Sequence, residues 1–164
     1  MFRLDSLQIL TLQPQSGWTI ESATAVCVEN CDNAPKGTLL ARMDRVVLRR
    51  LEEGTPLTLV LTPSQPCKLA AMSITLNARF LELYAEEVYS RTVRGKATES
   101  KLVFEVSEEF APPMAVSGSS RLLCKVASIK GDAACVTLEN IRFSFIGLRA
   151  PSKLAVPSST PAAE

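Results

Sequence analysis

Five cysteines stand at positions 27, 31, 67, 124 and 135, and two of them, Cys27 and Cys31, are spaced C-x3-C with Asp32 directly after. Two thiolates at that spacing can begin a site for a soft metal, but a tetrahedral zinc centre needs four ligands. The chain contains no histidine, so the other ligands would have to come from Cys67, Cys124 or Cys135, which are scattered singly. Cys124 and Cys135 lie in apolar strand contexts, where cysteine acts as a small hydrophobe. Cys27 and Cys31 are therefore weak metal candidates, and the reading is that no metal and no cofactor is held. The missing histidine also removes the commonest general acid/base near neutrality and the usual activator of a Ser or Cys nucleophile.

The carboxylates come in three adjacent pairs, Glu52-Glu53, Glu86-Glu87 and Glu108-Glu109. Neighbours on a strand point to opposite faces, so no pair forms an acid/base dyad within itself, and solvated strand ends are the plainer reading. Ser117-Gly118-Ser119-Ser120 lacks the Gly-Lys-Ser/Thr ending that brings a lysine to the β- and γ-phosphates, so the chain has no P-loop. These features lean against an enzyme and name no catalytic residue.

Two basic groups remain: Arg42, Arg45, Arg49 and Arg50, and then Arg91, Arg94 and Lys96 around Gly95. The second is the more suggestive, since Thr92-Val93-Arg94-Gly95-Lys96 ends a strand and a glycine there lets backbone approach a ligand between flanking cations. The plainer reading is an exposed, charged strand end. The notable aromatics are Trp18, Tyr84 and Tyr89, and no basic strip is interleaved with them, which argues against nucleic acid.

The elements that must position these residues follow from the pattern. At 164 residues, 46% hydrophobic and 21% charged, with 18 basic against 17 acidic side chains, the chain has the size of one domain and no bulk field of either sign. Its uncharged stretches are too short and too polar for a transmembrane segment. The start, Met1-Phe2-Arg3-Leu4-Asp5, lacks the features of a secretory signal or presequence, so reduced thiols and a cytoplasmic location are expected.

Apolar residues alternate with period two at Leu57, Leu59 and Leu61, at Met72, Ile74 and Leu76, around Leu81 and Leu83, and at Leu102, Phe104 and Val106. Leu123, Ala127 and Ile129 against Lys125 and Lys130 suggest another strand. Val136 and Leu138, then Ile141, Phe143 and Phe145, suggest a last one whose phase flips at Glu139-Asn140, as a β-bulge or a tight turn would make it. Breaks fall at Gly54, Pro63 to Pro66, Pro112-Pro113 and Gly131.

The fold expected is all-β, an antiparallel β-sandwich over residues 1–150. Residues 39–53 read equally as a short helix, from Leu40, Met43, Val47 and Leu51, or as a strand. Residues 151–164, rich in Pro, Ser and Ala, read as a disordered tail.

The stretch from Pro56 to Gly95 resembles a known family. A strand ending in Pro63-Ser-Gln-Pro-Cys67 leads to Ala71-Met-Ser-Ile-Thr-Leu76, Arg79-Phe-Leu-Glu-Leu-Tyr84, Glu87-Val-Tyr89 and Thr92-Val-Arg-Gly95. This is similar to the N-terminal domain of the PAAT family, the protein associated with ABC transporters. Leu122 to Lys130 and the final strand sit where that pattern expects them, so the likeness covers roughly residues 45–148. The resemblance implies a jelly-roll, galactose-binding or discoidin-like sandwich. It also implies a role bound to mitochondrial ABC transporters, with ATPase activity, and association with the mitochondrion. The family's longer C-terminal region has no counterpart here, which puts transporter regulation and ATP hydrolysis in doubt.

The first expectation is thus a non-enzymatic protein-interaction module whose partner is a protein such as a membrane transporter or a multi-subunit assembly. Its contact segments are Cys31 to Gly37, Tyr84 to Lys96 and Glu109 to Ser120. The binding candidates are Tyr84, Tyr89, Arg91, Thr92, Arg94, Gly95 and Lys96. One alternative is a nucleotide-binding regulator with Arg91, Arg94 and Lys96 near ATP phosphates. Another is a carbohydrate-binding module, for which a single Trp gives little stacking surface.

Overall fold

A computed structural model describes residues 10–30, 38–85, 88–117 and 121–147. Cys31, with the contact segment it opens, the Glu86-Glu87 pair, most of Ser117 to Ser120 and the tail at 151–164 lie outside the described residues. Twelve strands form among the described residues: β1 (Leu10–Pro14), β2 (Trp18–Ala23), β3 (Cys27–Asn30), β4 (Thr38–Arg50), β5 (Leu57–Pro63), β6 (Cys67–Leu76), β7 (Ala78–Ala85), β8 (Val88–Arg94), β9 (Lys96–Ala97), β10 (Phe104–Val116), β11 (Leu122–Ile129) and β12 (Cys135–Ile146). No helix occurs among the described residues, and none there is long and apolar enough to cross a membrane.

Two antiparallel sheets make the β-sandwich. The five-stranded sheet runs β1-β5-β11-β7-β8, and the seven-stranded sheet runs β2-β4-β12-β6-β10-β9 with β3 also against β4. Period-two alternation builds the interior: Leu57, Leu59, Leu61, Leu81 and Leu83 from one sheet meet Leu48, Leu69, Ile74, Leu138, Phe143 and Phe145 from the other in one buried cluster. Leaving water stabilises each such side chain by roughly 1.5–3 kcal/mol, which makes this burial the main force holding the layers together.

Residues 39–50 form strand rather than helix, and Leu51 to Glu53 lie in the turn that follows. β4 buries Leu39, Ala41 and Met43, then exposes Asp44 and Arg45 together, then buries Val46 and Leu48. That slip spaces apolar residues by three, as a helix would. β12 slips at the facing position: Glu139 and Asn140 are both exposed, Asn140 at φ 50°, while Glu139 stays opposite Arg45 and Ile141 opposite Met43. The two strands change face together and keep their mutual register. Against β6 the register of β12 does shift, between Glu139 and Arg142, so the flip is a bulge inside one continuous strand. On the other flank of β4, Thr24 fills the gap between β2 and β3, its Oγ1 accepting from the amides of Asp44 and Arg45 at 3.0 and 3.1 Å.

Other expectations are corrected in detail. β11 buries Leu122, Cys124 and Val126 and turns Leu123, Lys125 and Ala127 outward, because consecutive leucines leave the phase open to the opposite choice. Pro112-Pro113 does not end a strand. It sits inside β10, where register against β6 shifts between Glu109 and Met114 and no ladder amide is needed. Leu102 lies in the turn before β10 and is exposed.

The chain passes between sheets repeatedly, and hydrogen bonds tie the crossings in pairs. Gly17, between β1 and β2, sits at φ +99°, and a Cβ there would lie 2.5 Å from Thr55 Cγ2 in the β4–β5 connection. The Leu51 amide donates to the Gly17 carbonyl at 2.7 Å, and Trp18 Nε1 donates to the Thr55 carbonyl at 2.8 Å. Asn77, the single residue between β6 and β7, does the same for the β11–β12 connection. Its Nδ2 donates to the carbonyls of Lys130 and Cys135 at 3.1 and 3.0 Å, and its Oδ1 accepts from the Thr137 amide at 2.9 Å.

Asn77→Ala leaves three backbone groups in a half-buried corner without those partners. It is expected to lower unfolding free energy by about 2–3 kcal/mol, read from urea denaturation midpoints. A loss near zero would mean that water replaces the side chain and that the corner is not held by it.

Candidate functional site

The sequence candidates cluster on the β7–β8 ladder, and the structure sorts them into distinct surroundings. β7 buries Leu81 and Leu83, so Glu82 and Tyr84 face outward. Register with β8 runs Glu82 opposite Thr92 and Leu83 opposite Arg91, then shifts so that Tyr84 lies opposite Tyr89. The shift lifts Tyr89 onto the outer face beside Tyr84, the rings meeting edge to face with centroids 5.7 Å apart and planes at 72°. Tyr84 Oη donates to Glu82 Oε1 at 3.0 Å, and this bond, more than burial, holds the phenol above its ordinary pKa. Tyr89 Oη and Thr92 Oγ1 share a hydrogen bond of 2.8 Å.

Arg91 turns the other way. Its guanidinium pairs with Glu108 of β10 in the opposite sheet and lies 5.0 Å from the centroid of the Phe110 ring, closing the open edge of the sandwich. Gly95 marks the crossing from β8 to β9. Its amide donates to the Arg79 carbonyl at 2.7 Å, and a Cβ would come within 2.8 Å of Phe104 Cβ, so the bare backbone there serves the chain's own packing. Arg94 is exposed on β8, while Lys96 is exposed on β9 of the seven-stranded sheet opposite Glu105. Arg91, Arg94 and Lys96 therefore do not converge on one point: one lies between the sheets and the other two belong to different sheets.

The remaining sequence candidates are also placed. Arg49 pairs with Glu21, which holds that carboxyl below its ordinary pKa chiefly through the hydrogen bond, and Arg42 stands 4.0 Å from Glu29. Trp18 is buried and offers no stacking face. Cys27 is exposed on β3, and among the described residues no three Cys, Asp or Glu gather to hold a metal. Cys67 and Cys124 are buried, and desolvation pushes their thiols up to about 11 and about 12.

Residues not singled out from the sequence line a depression of about 340 Å³ on the outer face of the five-stranded sheet: Gln15, Thr58, Arg121, Leu123 and Lys125, together with Tyr84. The signal was the alternation Arg121, Leu123, Lys125, which becomes visible once the phase of β11 is known. A second depression of about 340 Å³ lies on the outer face of the seven-stranded sheet, over Ala71 and Ser73, with Arg142 and Glu109 among its walls. A scan against models of protein families gives no match for this chain, and neither does a search of curated proteins.

Two predictions follow from this chemistry. The unfolded thiol value is 9.0, so between pH 9 and about 12 the unfolded chain sheds protons that folded Cys67 and Cys124 keep, and stability falls as pH rises through that window. Denaturation midpoints measured on either side of about pH 9 should drop less in a Cys67→Ala, Cys124→Ala variant than in wild type; equal slopes would show the thiols to be ionised in the fold. For the Arg91–Glu108 pair, both side chains keep partial access to water. A double-mutant cycle with alanine should give a coupling of roughly 0.5–1 kcal/mol, and zero coupling would reduce Arg91 to a packing role over Phe110.

Proposed function

We propose that this β-sandwich is a non-enzymatic protein-interaction module that engages its partner through the β8 edge. The observation that carries this reading is the state of that edge. β8 closes the five-stranded sheet on one side, and its first two residues, Val88 and Tyr89, are 67% and 55% exposed. Soluble domains usually blunt an edge strand with charge, proline or a covering segment. At Val88-Tyr89-Ser90 the described chain has only apolar, aromatic and hydroxyl side chains. An open strand of this kind takes an added strand from a partner, with backbone hydrogen bonds supplying affinity and alternate side chains supplying selectivity. The resemblance to PAAT supplies the partner class, a mitochondrial ABC transporter.

The test is affinity capture of the tagged full chain from its own cell, with wild type, Val88→Lys and Tyr89→Ala compared by quantitative mass spectrometry. A specific partner should fall about tenfold with either variant, the cost of one lost interface anchor. A partner retained equally by all three proteins would overturn the assignment to β8. Titration calorimetry with ATP provides the opposing arm: saturable heat would favour a nucleotide-handling protein instead.

A further inference from the structure

We propose that the outer face of the five-stranded sheet, next to the β8 edge, docks an acidic peptide segment of a partner protein, with an apolar residue flanked by carboxylates. The inference rests on the reading of the chain as an interaction module and names the chemistry of what it binds.

The rows of this face follow from strand register. Val60 of β5 lies opposite Leu123 of β11, Leu123 opposite Tyr84 of β7, and Tyr84 opposite Tyr89 of β8; Val60 is already covered, so Leu123, Tyr84 and Tyr89 form an apolar and aromatic strip across three strands. Along β11 the strip is bracketed by cations. Arg121 immediately precedes the strand, and Lys125 follows two residues after Leu123, opposite both Thr58 and Glu82. Arg94, opposite Phe80, adds a third cation at the sheet edge. None of the three forms an ion pair with a carboxylate among the described residues, and the Glu82 carboxylate already accepts the Tyr84 hydroxyl.

The other outer face is arranged differently. There Arg49 has Glu21, Arg42 has Glu29, Arg45 faces Glu139 and Lys96 faces Glu105. Arg142 on that face is also without an ion pair among the described residues, but it lies opposite Arg42 and lines a depression with Glu109, whereas Arg121 and Lys125 flank Leu123, and cations beside an apolar strip are complementary to an anionic partner.

Spacing makes the occupant specific. Arg121 and Lys125 are four residues apart along an extended chain, about 13 Å at roughly 3.3 Å per residue. A second extended chain laid along β11 presents its side chains with the same repeat. A peptide with acidic residues at the first and fifth positions and an apolar residue at the third therefore sets one carboxylate at each cation and its apolar side chain on Leu123. The depression of about 340 Å³ between Gln15, Thr58, Tyr84 and these residues receives that side chain.

The experiment is a cellulose array of short synthetic peptides, varied independently at the first, third and fifth positions and probed with the folded full chain. Wild type is expected to select Asp or Glu at the outer positions and Leu, Phe or Tyr at the centre. Affinity for the best soluble peptide, measured by fluorescence anisotropy, should weaken about tenfold or more in Arg121→Ala, Lys125→Ala and fall with added salt. In Arg121→Glu, Lys125→Glu the preference should invert to Lys or Arg peptides, a swap that a merely destabilised fold would not produce. Selection of no acidic pattern, or the same acidic pattern by the charge-reversed variant, overturns the proposal. Those results leave the β8 reading standing, since Val88→Lys tests it by partner capture without altering Arg121 or Lys125.

Discussion

The sandwich depends on one polar side chain at the corner where two of its sheet crossings meet. Apolar burial favours any arrangement that brings two greasy sheet faces together, and it does not choose which strands lie side by side. Asn77 does. It is the only residue between β6 of one sheet and β7 of the other, and its amide group is spent on three backbone groups of the returning β11–β12 connection. Its own carbonyl accepts from the Lys130 amide at 2.7 Å, so backbone and side chain fasten the same corner. An amide suits this place because two donors and an acceptor diverge from one planar group, whereas a carboxylate would offer acceptors to the carbonyls of Lys130 and Cys135. With that corner fixed, the start of β12 lies beside the end of β6 and the end of β11 beside the start of β7.

The far edge is closed by different means. β8 and β9 belong to different sheets with only Gly95 between them, and the backbone passes so near Phe104 that a methyl group would not fit. Arg91 reaches across the gap to Glu108 and covers Phe110, a long side chain using its stem and its charge together. This closure decides what the edge can do. By drawing Arg91 inward it removes a charge from the middle of β8, and it leaves Val88, Tyr89, Ser90 and Thr92 presented to water, with Arg94 the one charge exposed at the strand's end.

Much of the fold was legible in the sequence, and the failures have physical causes. Period-two alternation named β5, β6, β7 and β12 with their buried faces, because a half-buried strand has no other economical pattern. The flip at Glu139-Asn140 was visible for the same reason. Its mate at Asp44-Arg45 was not, since a slip in one strand mimics helical spacing unless its partner is known. β11 begins Leu122-Leu123, and two adjacent leucines fit either phase. The Tyr84 to Lys96 segment stands out by its residue types, but its parts could not be apportioned. Whether an arginine faces a ligand or a carboxylate in the opposite sheet depends on register, which local sequence does not carry. Asn77 carries no local signal, and only its distant partners show what it holds.

The formal charge of the whole chain is +1, which says little about either outer face, because the sandwich divides its charges unevenly. On the seven-stranded sheet several neighbours are opposite in sign, Arg45 with Glu139, Lys96 with Glu105 and Arg49 with Glu21, although Arg42 faces Arg142. Matched pairs of this kind settle a surface against its own solvent and contribute little beyond that. On the five-stranded sheet the charges are few and mostly of one sign, and the middle of the face is Val60, Leu123 and Tyr84. Val60 is only 3% exposed although it lies outside the inter-sheet cluster, so the chain's own atoms cover that end of the strip and Leu123 and Tyr84 are what it presents. Apolar and aromatic side chains with cations beside them are therefore what the five-stranded sheet turns to water, where the seven-stranded sheet turns mixed charge. The near-zero charge of the whole chain is thus a sum over strands and connections, Glu52 and Glu53 among them, and does not describe either outer face.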